Sequence, residues 1–425
     1  MFLNHFFSFF GIEIVRFRQL KYTFSVLFVL ILMLLVSYKQ TYNLSIQTDF
    51  AVFWHAGNNF KLGNDLYSNI GGADRFIYPP FAAWCFQIFA WLPMNSAGFC
   101  WCFFNFGLYS ATIYTIYSIF LFYKIDEKKV KTALFISFLL SFRYFWYHQQ
   151  YVQMNLLMLF LTLKGILAYL KKQENTAIFY LIFAAFIKIL PVFFLFWIFC
   201  RGNYKTLLKM IGISFIFILI PCIQRGFPQG IQDHINYYYA FLEPFQNGRV
   251  EPKLNNYSLS AMIFKWCLPI QNGNNAPFQL LNYSVEQAQF FYKCSFAVLT
   301  FIYLMVLYFS RKYFKTPIFH EISFIFCFMH LVSGISWEYH FVSLIFPFVP
   351  LLLFILEKKY TTIGKYLAYS IVFVAILVGI DGQDTIGKTL HLYFNHFCAI
   401  TLLTLFLLFF SLHQFFRETY KNKIE

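Results

Sequence analysis

The sequence predicts an all-α polytopic integral membrane protein, and three observations carry that prediction. Only 12% of its 425 residues are charged against 60% hydrophobic, where a soluble domain carries about 25% charged residues. Apolar runs of about 20 residues, enough to cross a bilayer core, recur from one end of the chain to the other. Lys and Arg gather in short clusters between those runs, which is how a membrane protein marks its cytoplasmic side. The net charge of +15 therefore serves membrane anchoring, and no nucleic-acid partner is expected. The abundant Phe (62) and Tyr (30) suit lipid-facing and interfacial positions.

Taken in order, apolar runs bounded by charges predict spans near 22–38, 98–123, 132–147, 153–170, 210–223, 291–310, 318–334, 341–356, 366–380 and 391–412. The first is flanked by Arg16, Arg18 and Lys21 and has no small-residue cleavage site after it, so it reads as an uncleaved anchor. Two segments are irregular. Phe81 to Met94 is short for a crossing, and Ala177 to Cys200 is interrupted by Lys188 and Pro191. Broken segments at membrane depth are tolerated where they line a cavity or pack inside protein, so both are expected to wall an active site. The expected architecture is about 10–13 transmembrane helices with short re-entrant or juxtamembrane helices on the outer face. No repeat or linker divides residues 1–425, which read as one integral domain.

Orientation follows from the basic clusters. With the N-terminus inside and 177–200 returning to its own side, 124–131, 171–172, 201–209, 311–315, 358–365 and 417–423 all fall in the cytoplasm. The expected place is the plasma (inner) membrane, multi-pass, with both termini cytoplasmic. The outer loops, about 39–80 and 224–289, then form the active-site face, outer or periplasmic. Asp49, the stretch His148 to Asn155, Asn255 to Ser260, Ser336 to His340, Asp381 and Asp384 all emerge there. The polar chemistry converges on one side.

Asp49 opens the segment TDFAVFWHAGNNFKLGNDLY just after the first span. A carboxylate at a membrane interface can deprotonate an acceptor hydroxyl within hydrogen-bond reach; Thr48-Asp49 also has the composition of a helix cap. His340, in Ser336-Trp337-Glu338-Tyr339-His340, suits a base or a donor to phosphate or sugar. Trp337 fits an interfacial anchor or a surface for a sugar ring. Lys188 lies midway along an apolar stretch, and intramembrane charges are functional by default; a lipid-linked phosphate or a structural acid would each pair with it. Gln153 and Asn155 carry amides suited to sugar hydroxyls, or to capping a membrane helix. Asn256 belongs to a polar turn with Ser258 and Ser260.

Other chemistries have no motif here. The chain lacks a Walker loop, a dinucleotide fingerprint, HExxH and a DxD pair. Nine scattered cysteines make neither a zinc site nor a disulfide framework. Without DxD, no residues hold a metal on a nucleotide diphosphate, whereas a lipid monophosphate sugar needs no such clamp. No cofactor is required, although the outer-face carboxylates, Asp381 and Asp384 among them, leave room for a divalent cation.

The motifs, in chain order, resemble glycosyltransferase family 87, polyprenyl-phosphate-sugar-dependent transferases of the GT-C fold. The resemblance rests on Asp49 after the first span, Gly63 with Asp65-Leu66-Tyr67, and Tyr78-Pro79-Pro80. It continues through Gln153-Met154-Asn155-Leu156-Leu157, Ala185 to Pro191 around Lys188, Asn256-Tyr257-Ser258-Leu259, and Ser336 to His340. It spans residues 48 to about 350. Val152 stands where the family often has Gly, and Tyr339-His340 replaces a His-His pair. The resemblance implies transfer of a hexose, typically mannose, from a polyprenyl-phosphate donor to a glycan or glycolipid acceptor on the outer leaflet. It implies catalytic roles for Asp49 and His340, and substrate contacts for Tyr78, Gln153, Asn155, Lys188, Asn256 and Trp337. A polytopic transporter, or a flippase or polymerase of lipid-linked glycans, is the rival reading. A transporter would carry paired repeats and intramembrane acids, yet no repeat is found and the acids fall almost wholly in predicted loops.

Overall fold

The computed structural model describes residues 14–42, 44, 48–68, 76–246, 250, 253–268, 280–316, 318–357 and 362–424. Parts of both predicted outer loops (43, 45–47, 69–75, 247–249, 251–252 and 269–279), the extreme N-terminus and part of the basic cluster 358–365 lie outside them.

Each of the ten predicted spans is helical, eight of them each on a single α-helix. In chain order the helices are α1 (Ile14–Thr41), α2 (Asp49–Leu62), α3 (Pro80–Phe86), α4 (Met94–Phe122), α5 (Glu127–Gln150), α6 (Asn155–Leu170) and α7 (Glu174–Ile187). There follow α8 (Val192–Arg201), α9 (Tyr204–Arg225), α10 (Phe227–Tyr237), α11 (Glu243–Gln246), α12 (Leu259–Cys267), α13 (Val285–Tyr313) and α14 (Phe319–Val332). The last five are α15 (Ile345–Leu356), α16 (Thr362–Gly379), α17 (Gln383–Ile386), α18 (Lys388–His396) and α19 (Ala399–Ile424). Short 3-10 turns at Gln87–Trp91 and Glu338–Leu344, and a π turn at Tyr238–Leu242, join some of them. Among the described residues there is no strand.

The sequence states why the helices begin where they do. Asp126 accepts from the Lys129 N–H at 2.9 Å, and Asn203 and Ser284 form capping boxes with Thr206 and Gln287; each satisfies backbone donors a helix start leaves open. Tyr204–Arg225, Val285–Tyr313, Glu338–Leu356 and Ala399–Lys421 are long and apolar enough to cross a bilayer. Among the described residues six further apolar helices are shorter. The protein is thus an all-helical, multi-pass membrane protein.

Three details differ from the sequence reading. The span predicted at 391–412 is split at Phe397 and Cys398 into α18 and α19, with Cys398 left-handed at φ 52°. The span predicted from 341 begins inside the 3-10 turn that carries His340, and the α-helix starts only at Ile345. The acids are not confined to loops, because Glu321 lies fully buried in the first turn of α14. Its carboxylate accepts from the Trp197 indole and pairs with Arg201 at 3.5 Å. Arg201, read from sequence as a loop charge, also donates to the Phe314 carbonyl at 2.7 Å. A buried carboxylate is sustainable only with such partners.

Packing places α15 at the centre, where it lies against α5 and α14 and is buried along almost its whole length. α6 lies between α4 and α7, and α14 packs on α19. Close approaches are set by small residues. A Cβ at Gly165 of α6 would meet Leu181 of α7 at 2.7 Å, and one at Gly57 of α2 would meet the Phe86 carbonyl oxygen at 2.2 Å.

Candidate active site

Three breaks in helical structure bring the site together. The first is the start of α2. Thr48 stands extended at its N-cap and Asp49 is its first residue. Buried Phe50, Phe53, Ala56 and Phe60 hold the helix against α3 and the turn after it. Gly63 ends the helix at φ 78°, donating to the Asn59 carbonyl, a left-handed position that suits Gly. Arg225 grips that end, donating to the carbonyls of Asn59 (3.2 Å), Phe60 (3.3 Å) and Asn64 (2.7 Å) while its Nε pairs with Asp233 at 2.6 Å. Asp49 is therefore fixed by the packing and the far end of its helix, with Thr48 at the N-cap position.

The second break is the one the sequence marked. α7 stops because Lys188 turns extended (φ −155°, ψ 127°) and Pro191 begins the next helix. The side chain of Lys188 thus leaves the helical stack between α7 and α8. The third is the 3-10 turn Glu338–Leu344. Its start is tied to the turn before α12, since the Ser336 N–H donates to Asn256 Oδ1 at 3.0 Å and the Tyr257 N–H donates to the Ser336 carbonyl at 2.8 Å. Within it, the Trp337 N–H donates to His340 Nδ1 at 3.1 Å.

These elements meet around a cleft of about 990 Å³. Asp49, Tyr78, Lys188, Trp337, Tyr339 and His340 line it, and much of the remaining wall is apolar, including Val192, Phe193, Leu242 and Phe296. Lys188 Nζ donates to Asn155 Oδ1 at 2.7 Å and stands 2.8 Å from His340 Nε2. It also lies 5.4 Å from the centroid of the Tyr78 ring, within cation–π range. Asp49 interacts electrostatically with Lys188 and accepts a hydrogen bond from the Tyr339 hydroxyl. An acid, a lysine and a histidine thus line one cleft, the last two in direct contact. Among the described residues, no group of three or more His, Cys, Asp or Glu could hold a metal ion.

Of the eight residues singled out from sequence, five line the cleft: Asp49, Tyr78, Lys188, Trp337 and His340. The other three are buried behind it. Asn155 reaches the cleft only through Lys188, and its Nδ2 donates to the Tyr339 carbonyl at 3.3 Å. Gln153 accepts from the Met154 N–H, and its own carbonyl takes the Trp101 indole N–H at 2.9 Å. Asn256 spends its amide on Ser336, Ser258 and Gly334. Asp381, which had left room for a cation, is occupied by Arg143 at 3.5 Å and His391 at 2.8 Å.

Sequence reasoning passed over several residues that shape the site. Arg143 pairs with Glu338 at 2.8 Å and donates to the Val378 carbonyl at 2.6 Å. It sits inside a predicted span, so the rule that singled out Lys188 applied equally to it. Buried Lys265 donates to the carbonyls of Leu254 (2.6 Å), Asn256 (2.7 Å) and Asn395 (3.1 Å), fixing the turn that holds Ser336. Tyr257 donates its hydroxyl to Glu338 at 3.0 Å. Only the resulting contacts identify the last two, for neither type at its position is unusual.

The fold and cleft define a polytopic membrane enzyme whose polar groups open from the protein interior onto an apolar-walled space. The chain belongs to glycosyltransferase family 87, whose family model matches residues 76–334, more than half of its length. It is therefore a membrane glycosyltransferase, acting with a sugar donor, an acceptor and the lipid bilayer. The matched segment contains Tyr78, Gln153, Asn155, Lys188 and Asn256, while Asp49 precedes it and Trp337 and His340 follow it. No curated protein sequence gives a significant match.

Proposed function

We propose that this glycosyltransferase moves a hexose, mannose in the first instance, from a polyprenyl-phosphate donor to a hydroxyl of a glycan or glycolipid acceptor. The whole chain acts as one domain of GT-C type in the plasma (inner) membrane, with its termini cytoplasmic and its cleft on the outer face. The observation that supports this reading is the convergence of Asp49, Lys188 and His340 on one cleft. An apolar wall suits an isoprenoid chain, and a lysine at its polar part suits a single phosphate.

The reaction is a direct displacement with inversion. Asp49 is the group that takes the proton of the acceptor hydroxyl, because both ring nitrogens of His340 are engaged, Nδ1 by the Trp337 N–H and Nε2 by Lys188. The Tyr339 hydroxyl keeps the Asp49 carboxylate oriented. A phosphate leaving group needs no acid to depart, so one base suffices, unlike the carboxylate pair of a glycosidase. Lys188 offsets the charge that develops on the phosphate, a role in which one lost donor typically costs about 10²–10³ in rate. Trp337 and Tyr78 offer ring faces to the sugar.

Membranes bearing the wild type or Asp49→Asn, given radiolabelled polyprenyl-phosphate mannose and a crude glycolipid extract, test this. Label should enter a new product with wild type and fall by about 10²–10⁴-fold in the variant, the range for loss of a general base. Full activity of Asp49→Asn would remove Asp49 from the mechanism. Transfer from another polyprenyl-phosphate sugar, with none from mannose, would change the donor sugar and keep the reaction.

A further inference from the structure

The hydrogen bonds around His340 limit which proton states the lysine beside it can hold. A backbone N–H only donates, so the Trp337 N–H at 3.1 Å makes Nδ1 of His340 an acceptor. A neutral imidazole has one N–H, and with Nδ1 accepting, that proton is on Nε2. Nε2 stands 2.8 Å from Lys188 Nζ. An ammonium has three donors and no acceptor, so an ammonium there would set donor against donor. A free amine fits: its lone pair accepts from Nε2–H, and one of its own hydrogens goes to Asn155 Oδ1 at 2.7 Å.

Other groups also face Lys188. Asp49, at the head of α2, favours the ammonium; it is held by the Tyr339 hydroxyl. Tyr78 presents its ring face at 5.4 Å, also favouring a cation. His148 from the end of α5 and His330 from α14 are the other titratable groups near Lys188. His148 Nε2 accepts from the Leu156 N–H at 3.1 Å and His330 Nε2 contacts the Ser343 hydroxyl. Burial and the Nε2–H donor of His340 therefore oppose one carboxylate and one ring face.

We propose that Lys188 is the proton carrier of the reaction, a free amine in the empty enzyme that takes up one proton when the phosphate donor binds and gives it to the departing phosphate. This deepens the donor assignment made above and rests on it. The steps balance. The donor is a phosphodiester with one negative charge, and its arrival adds one solvent proton to the Lys188 amine. The acceptor oxygen attacks the anomeric carbon, and its proton passes to the Asp49 carboxylate. The bond from anomeric carbon to phosphate oxygen breaks, and its electron pair leaves a polyprenyl phosphate dianion. The Lys188 ammonium then protonates that dianion, so the product departs as a monoanion and the amine is restored. Asp49 returns its proton to solvent.

Two experiments on the full-length protein in nanodiscs test this. Competitive acylation across pH, read for each lysine by peptide mass spectrometry, needs no donor. In the empty enzyme at pH 7.5, Lys188 should reach at least about half its high-pH rate, whereas surface lysines, with ordinary values near 10.4, stay below about 1% of theirs. Titration of Lys188 together with the surface lysines would overturn the proposal. In the second, polyprenyl-phosphate mannose is bound without acceptor in two buffers of different ionisation heat. Wild type should take up about one proton per donor, and Lys188→Arg, permanently charged, should bind with none. Binding by wild type without uptake, or equal uptake by Lys188→Arg, would refute Lys188 as the carrier. A free amine by acylation with no binding of this donor would instead sink the donor assignment, and the carrier role with it.

Discussion

Replacing Arg143 by Met should destabilise the protein by about 3–5 kcal/mol, the range for breaking a buried ion pair from one side. The side chains of Arg143, Glu338 and Asp381 are only 7%, 10% and 2% exposed. One guanidinium serves both carboxylates, at 2.8 and 3.5 Å, and the Val378 carbonyl at 2.6 Å. Its removal leaves two carboxylates sharing one dry site, with the Tyr257 hydroxyl on Glu338 and the His391 imidazole on Asp381. The triple variant Arg143→Met, Glu338→Gln, Asp381→Asn removes the net charges and keeps the shape, so it should recover most of the loss. Unfolding of the purified protein by increasing SDS mole fraction measures both. A single variant within about 1 kcal/mol of wild type, the value of an exposed pair, would refute the argument, as would a triple variant no better than the single. Turnover gives a second readout. Glu338 lies in the same 3-10 turn as His340, and displacements near 1 Å cost about 10²-fold in rate, so the folded fraction of Arg143→Met should turn over far more slowly than wild type.

Two further substitutions probe backbone geometry. Gly57→Ala places a methyl 2.2 Å from the Phe86 carbonyl oxygen, so α2 must shift; it should cost about 1–3 kcal/mol in the same unfolding assay, while Gly107→Ala, with nothing within 4 Å, should be neutral or stabilising. At Val152, held left-handed at φ 49° and fully buried, the usual order should invert. Ala keeps a backbone strain of about 1–2 kcal/mol and loses packing, whereas Gly relieves the strain, so Val152→Gly should unfold at an SDS fraction equal to or above that of Val152→Ala; the opposite order would show that the strain is small.

Helix positions were legible because the apolar runs are long and their ends charged, and this protein keeps lipid-facing and core residues equally apolar. The same uniformity hid what lies within a run. The break between α18 and α19 falls on Phe397 and Cys398, two apolar residues with no Gly or Pro beside them, and His391, Asn395 and His396 ahead of it are too few to interrupt the apolar run. The break at Lys188 and Pro191 was readable because a charge and a missing N–H interrupt an otherwise apolar stretch. Of the site, residues that project into the cleft carried a signal through their type: an acid after a span, a lysine within one, a histidine beside Trp337. The amides of Gln153, Asn155 and Asn256 carried the same signal but bond to the protein itself. A polar side chain at a helix start serves backbone groups as readily as a ligand, and sequence alone does not tell the two apart. Val152 is the reverse case: its departure from the family's glycine coincides with a backbone conformation in which glycine is favoured.

Asp49, Lys188 and His340 share one structural circumstance. Asp49 is the first residue of α2, Lys188 the extended residue between α7 and α8, and His340 part of a 3-10 turn leading into α15. Within a regular membrane helix a side chain can only face lipid or a neighbouring helix, and its backbone donors are closed. At a break, the side chain can point along the helix axis into a space between bundles, and backbone N–H groups become available to orient it, as Trp337 orients His340. Such breaks are tolerable at membrane depth only when protein groups satisfy the backbone they open. Here that is the work of Arg225 on the end of α2, Lys265 and Asn256 on the turn before α12, and the Arg143 pair on the Glu338 turn. The buried charges away from the cleft are therefore what allow three reactive side chains to meet in a place where continuous helices could not have put them.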